Sequence, residues 1–546
     1  MMRKVYVILL FFLIGVDNSF GQQNSIPHLQ VKDSIVTLLV HDKPFIMLAG
    51  ELGNSTATTT ASMQDVWPKL QKLNLNTVLM PVYWELLEPE EGKFDLKLVD
   101  DLIKNARKYN LKIVFLWFGA WKNSMSSHAP AWVKTDSKRF PRVKDTHGNS
   151  QEILTPFSEN NLNADAAAYK TLLKHIKDSD AANQTVILMQ VENEIGILPS
   201  ARDYSAPANL KFNEEVPADL IAYLTKNKNQ LNPTIFKAWK DNGFKTTGNW
   251  ESIFGSSLQT DEIFMAYYLA RYTDKVAAAG KEAYSLPTYV NAALNRPGVK
   301  PGDYPSAGPL PHILDIWKAV SPNLDFYAPD FYNPQFKHWN DQYTTNGNPL
   351  FVPEHVFDDT VAAKALYAFG HYSALGFSPF AIEQTPLAAL SPKEVKLSKT
   401  YSVLSEIKPL LDKNRKKGRI EGVLLDKEVK TTTFTLGDYL FEAEHTYNLG
   451  WEPGSKADDW ENAGAIIIQS GTNEFYYVGF GISLKMKNLS KPDMKTGILK
   501  AERGNFKDGK WVVFQHLNGD QTHQGRHIRS FADDVCIQRF TLYEYQ

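Results

Sequence analysis

From Thr185 to Met189 the chain is continuously apolar and rich in β-branched residues, and it then runs at once into Gln190-Val191-Glu192-Asn193-Glu194. A run of this length and composition suits a strand buried on both faces, the kind found in parallel sheets covered by helices. A buried parallel strand that ends in carboxylates is how a (β/α)8 barrel presents catalytic groups, since active sites there lie at the C-terminal strand ends. The competing reading is a core strand followed by a solvated acidic loop. An amide set between two acids is an odd way to solvate a loop end.

The same scheme recurs along the chain. Phe45–Glu51, Asn76–Glu85 and Leu111–Phe118 precede the run just described, separated by helical stretches over Met63–Leu73, Lys97–Tyr109 and Ala166–Ile176. After an insertion near 197–260, Pro287–Ala292, Leu324–Asp330, Pro349–His355 and Gly376–Glu383 follow. Strands alternating with helices imply a parallel sheet, and eight strand-like runs match a closed TIM barrel spanning 22–395. An open doubly wound sheet is the alternative, but no glycine-rich phosphate loop follows the first strand.

Beyond the barrel, a helical and basic stretch over 396–419 reads as a linker, its charges as solvated surface. From 420 to 546 strands dominate, among them Thr431–Leu436, Ala465–Gln469, Glu474–Phe480, Lys510–Gln515 and Ile537–Tyr545. This predicts an all-β accessory domain of sandwich type. At the other end, Met1–Gly21 has a basic start (Arg3, Lys4), an apolar run (Val5–Val16) and a small-x-small site at Ser19-Phe20-Gly21. That is the pattern of a signal peptide, so a periplasmic or secreted protein is expected, with no membrane span once the signal is removed. The single cysteine, Cys536, permits no internal disulfide and no thiolate metal cluster.

A formal net charge of −2 argues against a nucleic-acid partner. Twelve Trp and 24 Tyr suit stacking on sugars and equally suit a barrel core. No HExxH motif is present, and His128, His312 and His355 lack ligand spacing, so no metal and no cofactor are expected. No G-x-S-x-G elbow supports a serine hydrolase. Acids do recur at strand ends: Glu51, Glu85, Glu192, Glu194, Asp330, Glu354 and Glu383. Two carboxyls about 5–5.5 Å apart are what retaining hydrolysis of a glycosidic bond needs, and neighbouring or facing strand ends can supply them. The pattern points to a barrel hydrolase acting on an oligo- or polysaccharide.

Gly50–Ser55, Pro81–Pro89 and Gln190–Gly196 resemble the signatures of glycoside hydrolase family 35, the β-galactosidase family of the Asn-Glu clan of retaining barrel glycosidases. Gly119–Trp132 and Tyr327–Asp330 are similar to a bacterial branch that carries a C-terminal β-domain. By position the resemblance implies Glu194 as acid/base, Glu354 as nucleophile and Asn193 as the ligand of the hydroxyl beside the anomeric carbon. It also implies an exported retaining exo-β-galactosidase. The same chemistry on another β-glycoside, or a non-catalytic carbohydrate-binding barrel, are the alternatives. Candidate sugar contacts are Glu51, Tyr83, Glu85, Trp117, Trp121 and Asn291, and Tyr327 is a candidate to orient the nucleophile. Better-known members carry Cys-Ala-Glu-Trp after the third strand, with a Glu that grips the sugar. Here the stretch reads Gly119-Ala120-Trp121-Lys122-Asn123.

Overall fold

The computed structural model describes residues 25–296, 298–385, 389–415, 418–446 and 461–546. The signal-peptide reading of 1–21 lies outside the described residues. Eight parallel strands close a barrel in sequence order: β1 (Met47–Glu51), β2 (Thr77–Tyr83), β3 (Lys112–Lys122), β4 (Val186–Asn193), β5 (Thr288–Ala293), β6 (Phe326–Phe331), β7 (Phe351–His355) and β8 (Gly376–Pro379). The TIM-barrel expectation therefore holds. Strand parity sorts side chains. On β3, Val114 and Leu116 fill the interior with Leu79 and Leu188, while Ile113, Phe115 and Trp117 pack outward against the helices. A three-stranded N-terminal sheet (His28–Lys32, Ile35–Val40, Lys43–Phe45) covers the floor. Its Leu38 and Val40 join the interior cluster, and His41 N–H donates to Gln184 just before β4.

The 26-residue helix Leu258–Ala283 ends the excursion between β4 and β5 and packs along Glu159–Asp180. The segment expected to be a linker, 396–419, is for its greater part the last barrel helix, Pro392–Asn414. Leu397, Tyr401, Leu404 and Ile407 are buried on it, and the Tyr401 hydroxyl is shared between the carbonyls of Ala49 (2.9 Å) and Phe377 (2.8 Å). It thus clasps β1 to β8, where only two residue pairs share the ladder. Lys69 of the first barrel helix, Val66–Lys72, meets Glu394 of the last at 2.9 Å, both buried, closing the helical ring. The sequence hid this role because its polar face and basic end outweigh the apolar stripe that touches the barrel.

The described residues from 420 onward form two antiparallel sheets, one of six strands and one of four. Val423, Ile467, Phe475 and Phe540 of the first face Phe441, Ile482 and Leu484 of the second across a shared core. The outer face of the larger sheet lies on the barrel helix Val361–His371. Contact there is backbone to backbone: a Cβ at Gly422 would stand 2.6 Å from the nitrogen of His371, and one at Gly464 would stand 2.7 Å from the Cα of Ala363.

Candidate active site

The C-terminal ends of β4, β6 and β7 converge on a cavity of about 630 Å³, lined among others by Glu194, Glu354, Asp330, Lys122, Asn123 and Tyr332. One carboxylate oxygen from each of Glu194, Asp330 and Glu354 lies within 4.8 Å of the other two. β4 is buried throughout, yet it delivers its acids to different places. Glu192 (φ 61°) and Glu194 (φ 45°) both adopt left-handed backbone, which costs a non-glycine residue roughly 1–3 kcal/mol and survives only where the surroundings enforce it. The enforcement is visible. Trp121 N–H donates to Glu192 Oε2 (2.7 Å), Asn123 N–H to the carbonyl of Asn193 (3.1 Å), and Glu194 N–H to Asn291 Oδ1 (2.9 Å). Opposite, β3 carries a wide bulge between Trp117 and Lys122, which turns Lys122 inward to face Asn193.

Each acid of the cavity keeps one oxygen engaged. Asn123 Nδ2 donates to Glu194 Oε2, the Tyr332 hydroxyl to Glu354 Oε1, and Asn291 Nδ2 to Asp330 Oδ2 at 2.6 Å. Glu354 Oε2, Asp330 Oδ1, Glu51 Oε1 and Asn193 Nδ2 are buried without a hydrogen-bond partner. Such groups cost free energy unless something polar meets them. The open acceptors on Glu354 and Asp330, both of which line the cavity, suit a ligand dense in hydroxyls. The Glu194, Asp330 and Glu354 oxygens could also hold a cation by distance alone, although the set contains no imidazole and Lys122 already places a positive charge among them.

Burial, and then the charge of Glu354, push the Glu194 carboxyl up to about 7. Burial raises Glu354 as well, but Lys122 and the Tyr332 hydroxyl pull it back, so it is the first of the pair to ionise. Burial and the charge of Glu354 hold Glu51 and Asp330 well above the usual carboxylate range. Of the facing pair, Glu354 therefore ionises first, while Glu194 keeps its proton to near neutral pH.

The remaining expected contacts divide. Glu51 is buried among these acids. Asn291 stands behind Glu194 and ties it to Asp330. Tyr83 donates to the carbonyl of Asn54 (2.8 Å), a residue that lines the cavity, so it supports the wall. Four expectations are corrected. Trp117 faces outward by parity and donates to Asp165 (2.8 Å) in the helix layer. Trp121 is buried in the same layer, edge-on to Tyr272. Tyr327 also points outward, its hydroxyl on Ser321 at 2.7 Å, so Tyr332 and not Tyr327 orients Glu354. Glu85 sits on the short helix Trp84–Leu87, where His128 Nδ1 meets it at 2.9 Å, and it does not line the cavity. Lys122, Asn123 and Tyr332 were missed. Asp330 and its register could have flagged Tyr332, since both follow the inward parity of Phe326 and Ala328. Nothing local marks the bulge that turns Lys122 inward.

The model of the glycosyl hydrolases family 35 matches residues 37–354, more than half of the chain and the whole stretch from the floor sheet to Glu354. The chain belongs to that family. A second model, of a domain of unknown function (DUF5597), matches residues 397–529. Among characterised relatives, a β-galactosidase from Xanthomonas manihotis is 28% identical over 178 residues, covering 31% of this chain and 27% of the relative. The family 35 chain thus spans about a quarter of that relative's length. Among solved structures, the β-galactosidase from the psychrophilic Marinomonas ef1 aligns with 12% identity and a TM-score of 0.46, covering 67% of this chain and 60% of that one. The β-galactosidase from Bacillus circulans sp. alkalophilus gives 13% identity and 0.44, covering 67% and 57%.

Proposed function

We propose that this family 35 hydrolase is an exported, retaining exo-β-glycosidase that releases terminal β-galactose from glycans, with Glu354 as nucleophile and Glu194 as acid/base. The observation that carries this reading is the pair itself. Two carboxyls from facing strand ends approach within 4.8 Å across a cavity, Glu354 the first to ionise and Glu194 holding its proton to about 7. That separation is close to the 5–5.5 Å of retaining enzymes and shorter than the room an inverting enzyme leaves for water.

In the first step Glu354 Oε2, the oxygen free of Tyr332, bonds to the anomeric carbon. The bond to the departing oxygen breaks, and its electron pair takes the proton of Glu194. A glycosyl ester on Glu354 results, and the charge that held the Glu194 proton is gone. Glu194, now a carboxylate, then takes a proton from water as the water oxygen bonds to the anomeric carbon. Glu354 leaves as carboxylate and the configuration is retained. Asn193 Nδ2, buried and unpartnered, is the donor available to the 2-hydroxyl.

Export rests on the composition of 1–21. Among the described residues no helix is long and apolar enough to cross a membrane. Protein recovered from periplasm or medium should begin near Gln22, and an intact Met1 there would indicate an anchor. The test of the chemistry is covalent labelling with a 2-deoxy-2-fluoro-β-galactoside bearing a good leaving group. Peptide mapping should place the adduct on Glu354. An adduct elsewhere, or none despite turnover, rejects the assignment. A panel of aryl β-glycosides decides the sugar, with the galactoside expected to be turned over best.

A further inference from the structure

Among the described residues, Lys122 is the one lysine that lines the catalytic cavity. It is 6% exposed, with its Nζ 2.9 Å from Asn193 Oδ1 and 5.0 Å from the centre of the Phe118 ring. Among the described residues its Nζ forms no other hydrogen bond and no ion pair within 4.0 Å, so two of its three N–H donors remain for whatever fills the cavity. Its charge is felt by all four acids facing it: Glu51, Glu194, Asp330 and Glu354. By accepting from Lys122, Asn193 Oδ1 fixes the orientation of the amide, and Asn193 Nδ2 remains its unpartnered donor beside Lys122.

We infer that Lys122 determines specificity at carbon 2 of the sugar, admitting a neutral hydroxyl and rejecting an ammonium. The inference rests on the reading of the site as a retaining glycosidase whose Asn193 meets the 2-hydroxyl. A hydroxyl there accepts from Asn193 Nδ2 and a Lys122 N–H and donates to a neighbouring carboxylate. An ammonium has no lone pair for either donor and brings a second positive charge beside Lys122 in a water-poor cavity. Glu354, the first of these acids to ionise, would by itself attract such a cation. Lys122 opposes that attraction at the amide that reads this carbon.

Rates would confound the test, because a 2-ammonium also withdraws electrons from the reacting carbon. Binding of the free sugars avoids this. Inhibition constants of galactose, 2-deoxygalactose and 2-amino-2-deoxygalactose are measured on the full chain at a pH where the amine is protonated. In the native protein the amino sugar should bind at least about tenfold more weakly than the 2-deoxy sugar, although the latter lacks the hydroxyl altogether. Lys122→Met should close that gap or reverse it, and Lys122→Arg should keep it. An amino sugar that binds the native protein as well as the 2-deoxy sugar overturns the inference, whether or not Lys122→Met folds. So does a gap that survives in a folded Lys122→Met. If the native protein neither turns over an aryl β-galactoside nor binds galactose, the galactosidase reading itself fails and takes this inference with it. Turnover without the gap removes only the role of Lys122.

Discussion

Two carboxyl pairs are built from acids two residues apart on β4. Glu192 faces the helix layer beside Asp165, which accepts from Trp117 (2.8 Å) and from the Tyr272 hydroxyl (3.0 Å). Burial raises both carboxyls, and the charge of Asp165 adds to the rise at Glu192, so Glu192 keeps its proton in a sealed setting. Glu194 faces the cavity and pairs with Glu354 across open space. Residues i and i+2 of a regular strand point the same way. Two left-handed residues break that rule and send identical side chains to opposite sides of the wall. One pair is sealed in the helix layer, and the other stays open to a reaction. Burial alone does not make a carboxyl catalytic; access does.

That contrast can be broken at its strongest point first. Glu354→Gln should lower kcat by about 10⁴-fold or more while leaving thermal stability unimpaired, because it removes the group that forms the intermediate. Loss of fold instead of turnover would make this pair structural, like its neighbour. Glu194→Ala should cost about 10²–10⁴-fold on substrates with poor leaving groups and much less in the first step with activated aryl galactosides. Added azide should restore turnover and yield a β-galactosyl azide. If both substrate classes slow equally and azide does nothing, Asp330, the third acid of the cavity, becomes the acid/base candidate.

The pairs also differ in what protons do to stability. The Glu194 carboxyl, at about 7, binds its proton more tightly than in the unfolded chain, near 4.5. Its penalty on the fold is therefore absent below about pH 4.5, grows as pH rises and is complete above about 7. Glu194→Gln should then raise unfolding free energy by up to ~3 kcal/mol at pH 8 and by little at pH 4, measured by urea titration. The same residue puts the alkaline limb of kcat/KM near pH 7 in the native enzyme. Glu192→Ala should act oppositely. By leaving Asp165 and the Trp121 N–H without their partner it should lower stability by about 1–3 kcal/mol at any pH, with fluoro-sugar labelling of Glu354 retained. Abolished labelling in a folded Glu192→Ala would erase the distinction between the pairs.

Much of this was legible in the chain itself. Eight apolar runs ending in acids, spaced by helical periods, encode a parallel barrel because burial on both faces demands continuous apolar strands and covering helices. Seven acids stand at strand ends, and the resemblance to family 35 is what singles out Glu194 and Glu354 among them. Short-range chemistry suffices for the barrel. What the sequence could not decide depends on which way a side chain turns. Trp117, Tyr327 and Glu85 look like sugar contacts at strand ends, but parity and a short helix direct them elsewhere. Lys122 looks like part of a solvated loop, but a bulge opposed by Asn193 drives it into the cavity. The helix after 391 reads as a linker until β1 and β8 supply the carbonyls that Tyr401 clasps. Bulges, left-handed residues and ring closure are set by partners distant in sequence, and those partners meet only when the barrel closes.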